Sequence, residues 1–208
     1  MGETVQTRQL GGQLSEKRPD PRPIAIPIAG GELVTGIEWR ISDAAILFLH
    51  DSDDELGLDT WRAWPDRFAE LGYYVVVVDL LPDRPQESVT AALGYLAAQE
   101  ASRRFIVAAG NAVQFLEEKS ADAFVLVGPR VGNSDPITLG ITPKLILAGT
   151  DDPVIYGAVE RFARGCRGWS LLSTFVTDNS VDALLEGRHA LQVGSQIASF
   201  LQEYRGTP

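Results

Sequence analysis

From Ala44 onward, short unbroken apolar runs alternate with stretches whose apolar residues recur every three or four positions. The runs are Ala44–Leu49, Tyr73–Leu80 (apolar but for Asp79), Phe105–Ala109, Phe124–Val127 and Leu145–Ala148; Trp169–Val176, broken by Ser170, Ser173 and Thr174, is expected as a sixth strand. A run with no polar alternation fits a strand covered on both faces. Between the runs, Trp61, Trp64, Phe68 and Leu71 mark one face of a helix that ends at Gly72. Pro65 inside that pattern predicts a kink or a late start. Ser88–Ala101 predicts a helix with Ala91, Leu93, Leu96 and Ala97 inward, and a short helix follows the third run through Phe115 and Leu116. Another helix is expected around Val159 and Phe162, and a last one through Leu191, Val193, Ile197, Phe200 and Leu201. Upstream, Pro23–Ile28 suits an edge strand, and Gly30-Gly31 turns it into a second strand, Leu33–Ile41, to form a hairpin.

Strand and helix in alternation force a parallel sheet with right-handed crossovers. The expected fold is a three-layer α/β/α sandwich with a mostly parallel sheet and an N-terminal β-hairpin. One domain is expected over residues 23–208, behind a polar leader over residues 1–22. The link Gly128–Pro143 is too short and turn-rich for a lid domain.

Composition narrows the partners. The net charge of −10 argues against a nucleic-acid backbone and against an anionic membrane surface. The chain has no apolar run of the roughly 18 residues a membrane helix needs, and the leader lacks the apolar core of a signal peptide. The single Cys166 allows no internal disulfide, so a reducing, cytoplasmic setting is expected. Cys166 itself reads as incidental, although nearby Arg164 and Arg167 would be expected to lower its pKa. Asp51 to Glu55 lacks the spacing of a calcium loop, and the chain has no glycine-rich phosphate loop, so neither a metal nor a cofactor is expected.

In open α/β sheets, ligands bind beyond the carboxyl ends of the strands. The polar residues expected on that rim are His50-Asp51-Ser52, Asp79, Gly110-Asn111, Asp151-Asp152 and Gly187-Arg188-His189. Both histidines of the chain fall there. Asp152 before Pro153 also has the form of a helix cap, and Asn111 that of a cap or of a turn residue with positive φ.

The ordered set FLHDS, WRAW..RFAELGY, VVVVDL, ITPKLILAGTDDPV and EGRHALQVGSQIASFL resembles the α/β-hydrolase superfamily over roughly residues 23 to 205. The resemblance implies a catalytic acid at Asp152, a catalytic base at His189 and an oxyanion-hole amide from the loop His50-Asp51-Ser52. In such a triad the carboxylate steadies the imidazole, which takes the proton of the nucleophile. The nucleophile elbow would be Gly110-Asn111-Ala112. The family pattern Gly-x-nucleophile-x-Gly can be laid on it in three registers, with Gly110, Asn111 or Ala112 at the nucleophile position, and none of the three can attack a carbonyl carbon. The loop also departs from the family, with Asp51 where a glycine is usual; acidic residues beside an oxyanion raise its energy. The resemblance thus implies a lapsed hydrolase that binds a small molecule or a protein partner in the old cleft. The alternative is an active acyl-ester hydrolase or lyase that uses His189 and Asp152 with Ser52 or an activated water. A plain doubly wound binding protein is the third expectation. The oligomeric state is not legible.

Overall fold

The computed structural model describes residues 20–50, 58–118, 120–132 and 139–206. Eight strands form one sheet: β1 (Arg22–Pro27), β2 (Leu33–Trp39), β3 (Ala44–His50), β4 (Tyr74–Asp79), β5 (Arg103–Ala109), β6 (Ala123–Val127), β7 (Lys144–Gly149) and β8 (Ser170–Phe175). Their order is β1-β2-β4-β3-β5-β6-β7-β8. β1 and β2 are an antiparallel hairpin, β2 meets β4 antiparallel, and every other pairing is parallel. The hairpin and the parallel sheet are both as expected. Residues up to 19 of the expected leader lie outside the described residues, and Arg22 already belongs to β1.

The unbroken apolar runs are explained by the two cores they serve. Every residue of β3 is buried. Ile46 and Phe48 pack into one cluster, with α1 (Leu58–Glu70), α4 (Val181–Leu185) and α5 (Ala190–Arg205). Ala45, Leu47 and Leu49 pack into the other, with α2 (Pro85–Ala98) and α3 (Pro153–Gly165). A strand clamped between two helical layers has no polar face to show.

Some elements differ from the expectation. α1 runs on through Pro65 instead of starting late; of its expected face, Trp64 and Phe68 are buried, Leu71 is exposed, and the side chain of Trp61 lies outside the described residues. α2 starts earlier and buries Ser88, Val89, Ala92 and Leu96; of the other expected inward residues, Ala91 and Leu93 are partly buried against the core and Ala97 is exposed. Ser88 is the reason this face was hidden from a hydrophobic reading. Its hydroxyl donates to the Arg84 carbonyl (2.9 Å) and accepts from the Leu81 amide (3.1 Å), so a polar residue can face the sheet at little cost. The short helix expected after β5 is a 3-10 helix, Gly110–Phe115, with Leu116 as its C-cap. α4 was not foreseen, and Leu191 of α5 is exposed.

Two buried charged residues hold the ends of the sheet. Glu38 of β2 accepts from the hydroxyls of Tyr74 (2.6 Å) and Tyr95 (2.9 Å), tying the hairpin to β4 and α2. Burial pushes both phenols above the usual tyrosine range. Lys144 is fully buried at the start of β7, and its Nζ donates to the carbonyls of Gly140 (2.8 Å), Arg167 (3.0 Å) and Thr142. Burial lowers the pKa of Lys144 and raises that of the neighbouring Cys166 thiol. The expected arginine effect on Cys166 is therefore overturned: desolvation of the thiolate outweighs the solvated guanidinium groups.

The Trp64 indole donates to the Leu185 carbonyl (3.0 Å) and fills the space over Gly194 of α5. A methyl group at Gly194 would lie 1.9 Å from the Trp64 ring, whereas one at Gly94 of α2 meets nothing within 4 Å. Alanine is favoured over glycine in a helix by about 1 kcal/mol. Gly94→Ala is therefore expected to stabilise by about that amount. Gly194→Ala is expected to destabilise by about 1–3 kcal/mol, because overpacking outweighs propensity. Urea unfolding of the two variants checks both signs.

Candidate functional site

The parallel order reverses between β3 and β5, since the chain runs outward to β4 on one side and to β6 on the other. Ligands in open α/β sheets bind at such a switch point, beyond the carboxyl ends of the strands. His50 closes β3 there and Gly110 follows β5. His50 is buried and in register with Asp79 at the end of β4. Asp51 and Ser52, with Asp53, Asp54 and Glu55, lie outside the described residues.

The turn after β5 is sharp. Ala109 is still extended, and Gly110 then enters the left-handed region at φ +55°. A β-carbon is disfavoured there, which is why the sequence has glycine. The expectation of positive φ at Asn111 is not met; the conformation belongs to Gly110. The Asn111 side chain accepts from the Gln114 amide (3.3 Å), which also donates to the Arg130 carbonyl (2.9 Å). The Arg130 amide in turn donates to the Gly110 carbonyl (3.1 Å). The turn is thus fastened to the loop after β6 by backbone and amide contacts. Gly110 and Ala112 are buried. None of Gly110, Asn111 and Ala112 carries a hydroxyl, a thiol or a carboxylate.

Asp152 is the N-cap of α3, and its Oδ1 accepts from the amides of Val154 (2.8 Å) and Ile155 (3.1 Å). His189 stands at the head of α5 with its ring against Phe175, 5.4 Å between centroids. Its Nε2 accepts from Nε of Arg188 (3.0 Å), so the proton of the neutral ring sits on Nδ1. Arg188 also donates to the Val176 carbonyl. Asp152 and His189 share the rim but make no hydrogen bond with each other; each is bonded to its own neighbours.

A cavity of about 540 Å³ opens on this rim, lined by Arg130, Val131, Asp152, Ile155, Asp178 and Asn179 among others. Asn179 is its most embedded polar residue. The side chain accepts from the Gly149 amide (2.9 Å) and donates to the Pro129 carbonyl (3.4 Å), joining the ends of β6 and β7. Asn179, Arg130 and Asp178 were missed in the sequence, where TDNS reads only as a turn and Arg130 as one basic residue among many. Among the described residues no cluster of His, Cys, Asp or Glu could hold a metal ion. No described helix is long and apolar enough to cross a membrane.

Three variants check the electrostatics of this rim. Asparagine caps a helix as well as aspartate does, so Asp152→Asn is expected to keep the melting temperature. Asp152→Ala is expected to lose about 1 kcal/mol in denaturant unfolding. Asp79 is half-buried, and loss of solvent raises its pKa. A carboxyl with a raised folded pKa favours folding below the ordinary aspartate range and opposes it as pH rises through the folded value. Asp79→Asn is therefore expected to raise the melting temperature at neutral pH. That gain should vanish in acid, below the ordinary aspartate range, as a calorimetric pH series would show.

No protein-family model and no curated protein matches the chain. Solved structures do. An esterase domain from Rhodothermus marinus superposes with a TM-score of 0.72 at 14% identity, over 90% of this chain and 100% of that one. A Pyrococcus furiosus esterase superposes at 0.71 and 13% identity, over 90% and 92%. A Pyrobaculum calidifontis esterase superposes at 0.69 and 17% identity, over 88% and 83%. With the hairpin, the strand order and the turn at Gly110, this likeness shows that the chain has the α/β-hydrolase fold.

Proposed function

We propose that the protein is a lapsed hydrolase that binds a small molecule at the carboxyl-end rim without cleaving it. One observation carries this reading: the residue at positive φ in the strand-to-helix turn is Gly110. In active members of the fold that strained turn presents the nucleophile. Of the three registers open in the sequence, the backbone thus favours the one with Gly110 in that role, and glycine has no side chain to attack with. The remaining parts of the triad support the reading. The Asp152 carboxylate is engaged in capping α3, and the His189 nitrogen that would take a proton already accepts from Arg188. The cavity beside Asp152 mixes apolar Val131, Val154 and Ile155 with Arg130 and Asp178, a lining suited to a small molecule with both apolar and polar parts.

A second reading is favoured by the comparisons, since the three structures named above are esterases. On that reading Ser52, two residues past His50, supplies the hydroxyl and His189 the base. The two readings part on one experiment. Purified protein incubated with acyl esters of increasing chain length is expected to show no hydrolysis above the uncatalysed rate. It is also expected to take no fluorophosphonate label. Turnover that disappears in His189→Ala, or a label mapped to Ser52, would overturn the first reading and establish the second. In parallel, Gly110→Ser is expected to cost about 1–2 kcal/mol in stability, the penalty of a β-carbon in the left-handed region.

A further inference from the structure

The sheet has two edges, and they are unlike. β1, RPIAIP, carries two prolines and an arginine, devices that keep an edge from pairing. β8, SLLSTF, carries neither charge nor proline over its whole length. The carbonyls of Trp169 and Phe175 accept from the amides of Lys144 and Thr150, on the β7 side. Backbone groups alternate along a strand, so those of Ser170, Leu172 and Thr174 point away from the sheet. Beside them, Leu171 is 48% exposed and Trp169 47%. A groove of about 270 Å³ runs between this edge and α5, lined by Trp169, Leu171, Gln196, Phe200 and Glu203. The buried Oε1 of Gln196 in that groove accepts no hydrogen bond from any described residue.

The charges flanking β8 say what fits there. On the α3 side the foot of the strand carries Arg164 and Arg167, and the head carries Asp151 and Asp178, all exposed. On the α5 side the order is reversed: Glu203 is exposed at the foot and Arg188 at the head. A two-fold axis normal to the sheet joins two β8 strands antiparallel and keeps each face on its own side. Foot then meets head on both faces. Arg164 and Arg167 approach Asp151 and Asp178 of the second copy, and Glu203 approaches Arg188 of the second copy. On both faces, then, charges of opposite sign meet.

We propose that β8 is a homodimer edge, at which two copies pair antiparallel into one continuous sheet. In the centred register Leu172 faces its own counterpart, and Ser170 faces Thr174 of the second copy. All three outward-pointing residues then share backbone hydrogen bonds, and Leu171 and Trp169 are covered. The interface shares Asp178 with the rim cavity, but no residue of β8 or α5 lines that cavity, so substitutions there test the interface separately from the ligand-binding reading.

Sedimentation velocity of the full chain tests this. A dimer is expected in the micromolar range. Leu171→Lys, at an exposed position, and Thr174→Pro, which removes an outward amide, are each expected to give a monomer with an unchanged circular dichroism spectrum. Glu203→Arg is expected to weaken the dimer about tenfold or more, and Arg188→Glu added to the same chain is expected to restore it. A wild-type monomer throughout that range overturns the proposal. So does a dimer that survives both β8 substitutions, or a double charge swap that fails to recover affinity.

Discussion

The parallel strands inside this sheet have to be covered on both faces, and the rest of the molecule follows from that demand; β8, at the edge, is only partly covered. A parallel pair cannot be closed by a tight turn; each strand must be carried back to the foot of the sheet before the next begins. The return segments become the covering layers. β3 is buried along its whole length for this reason, and its residues divide between two cores rather than between core and solvent. The same demand gathers the loops that follow β3, β5, β6 and β7 at one end of the sheet. Polar residues scattered through the sequence, among them His50, Asp79 and Asp152, meet at that end.

Where a return segment is short, the layer is thin. Between β5 and β6 it amounts to a 3-10 helix, and a groove of about 460 Å³ is left between that segment and α2, lined by Val89, Leu93, Ala97, Arg104, Phe115 and Glu117 among others. Nearer the sheet the buried face is sealed by Ala112, Val113 and Leu116. The rim is stiffened in another way. Asn179 joins β6 to β7 through two backbone groups, and the Arg130 amide holds the Gly110 carbonyl. Neither contact uses Asp152 or His189, and the one at Gly110 is made by its backbone carbonyl alone, so these contacts do not depend on the chemistry the rim hosts.

The strands were legible because an unbroken apolar run has few other uses. The hairpin was legible from Gly30-Gly31, and the rim positions from the rule that ligands collect at the carboxyl ends. What escaped was polar and internal. Ser88 faces inward because two backbone groups satisfy its hydroxyl, and Glu38 because two phenols do. Lys144 looks like an ordinary lysine before a strand, yet three carbonyls hold it. Such residues are recognised only when their partners, far off in the chain, are brought to them. The same limit hid the site's inner wiring. His189 and Asp152 could be assigned to one rim, but their bonds to Arg188 and to the start of α3 depend on side-chain rotations that no spacing encodes.

Turn shape and turn chemistry separate at Gly110. A residue with a β-carbon at φ +55° would carry about 1–2 kcal/mol of strain, and such strain persists only where the surroundings force it. Here glycine removes the strain, yet the sharp turn is still present. It is held by the end of β5, by the amide of Arg130 and by the burial of Ala112, none of which involves a catalytic group. The turn therefore belongs to the architecture: β5 must end abruptly for the chain to cross toward β6. A nucleophile, where a member of this fold has one, uses a geometry that the sheet already imposes. The elbow's form is accordingly evidence for the fold, whereas only the side chain it carries bears on function.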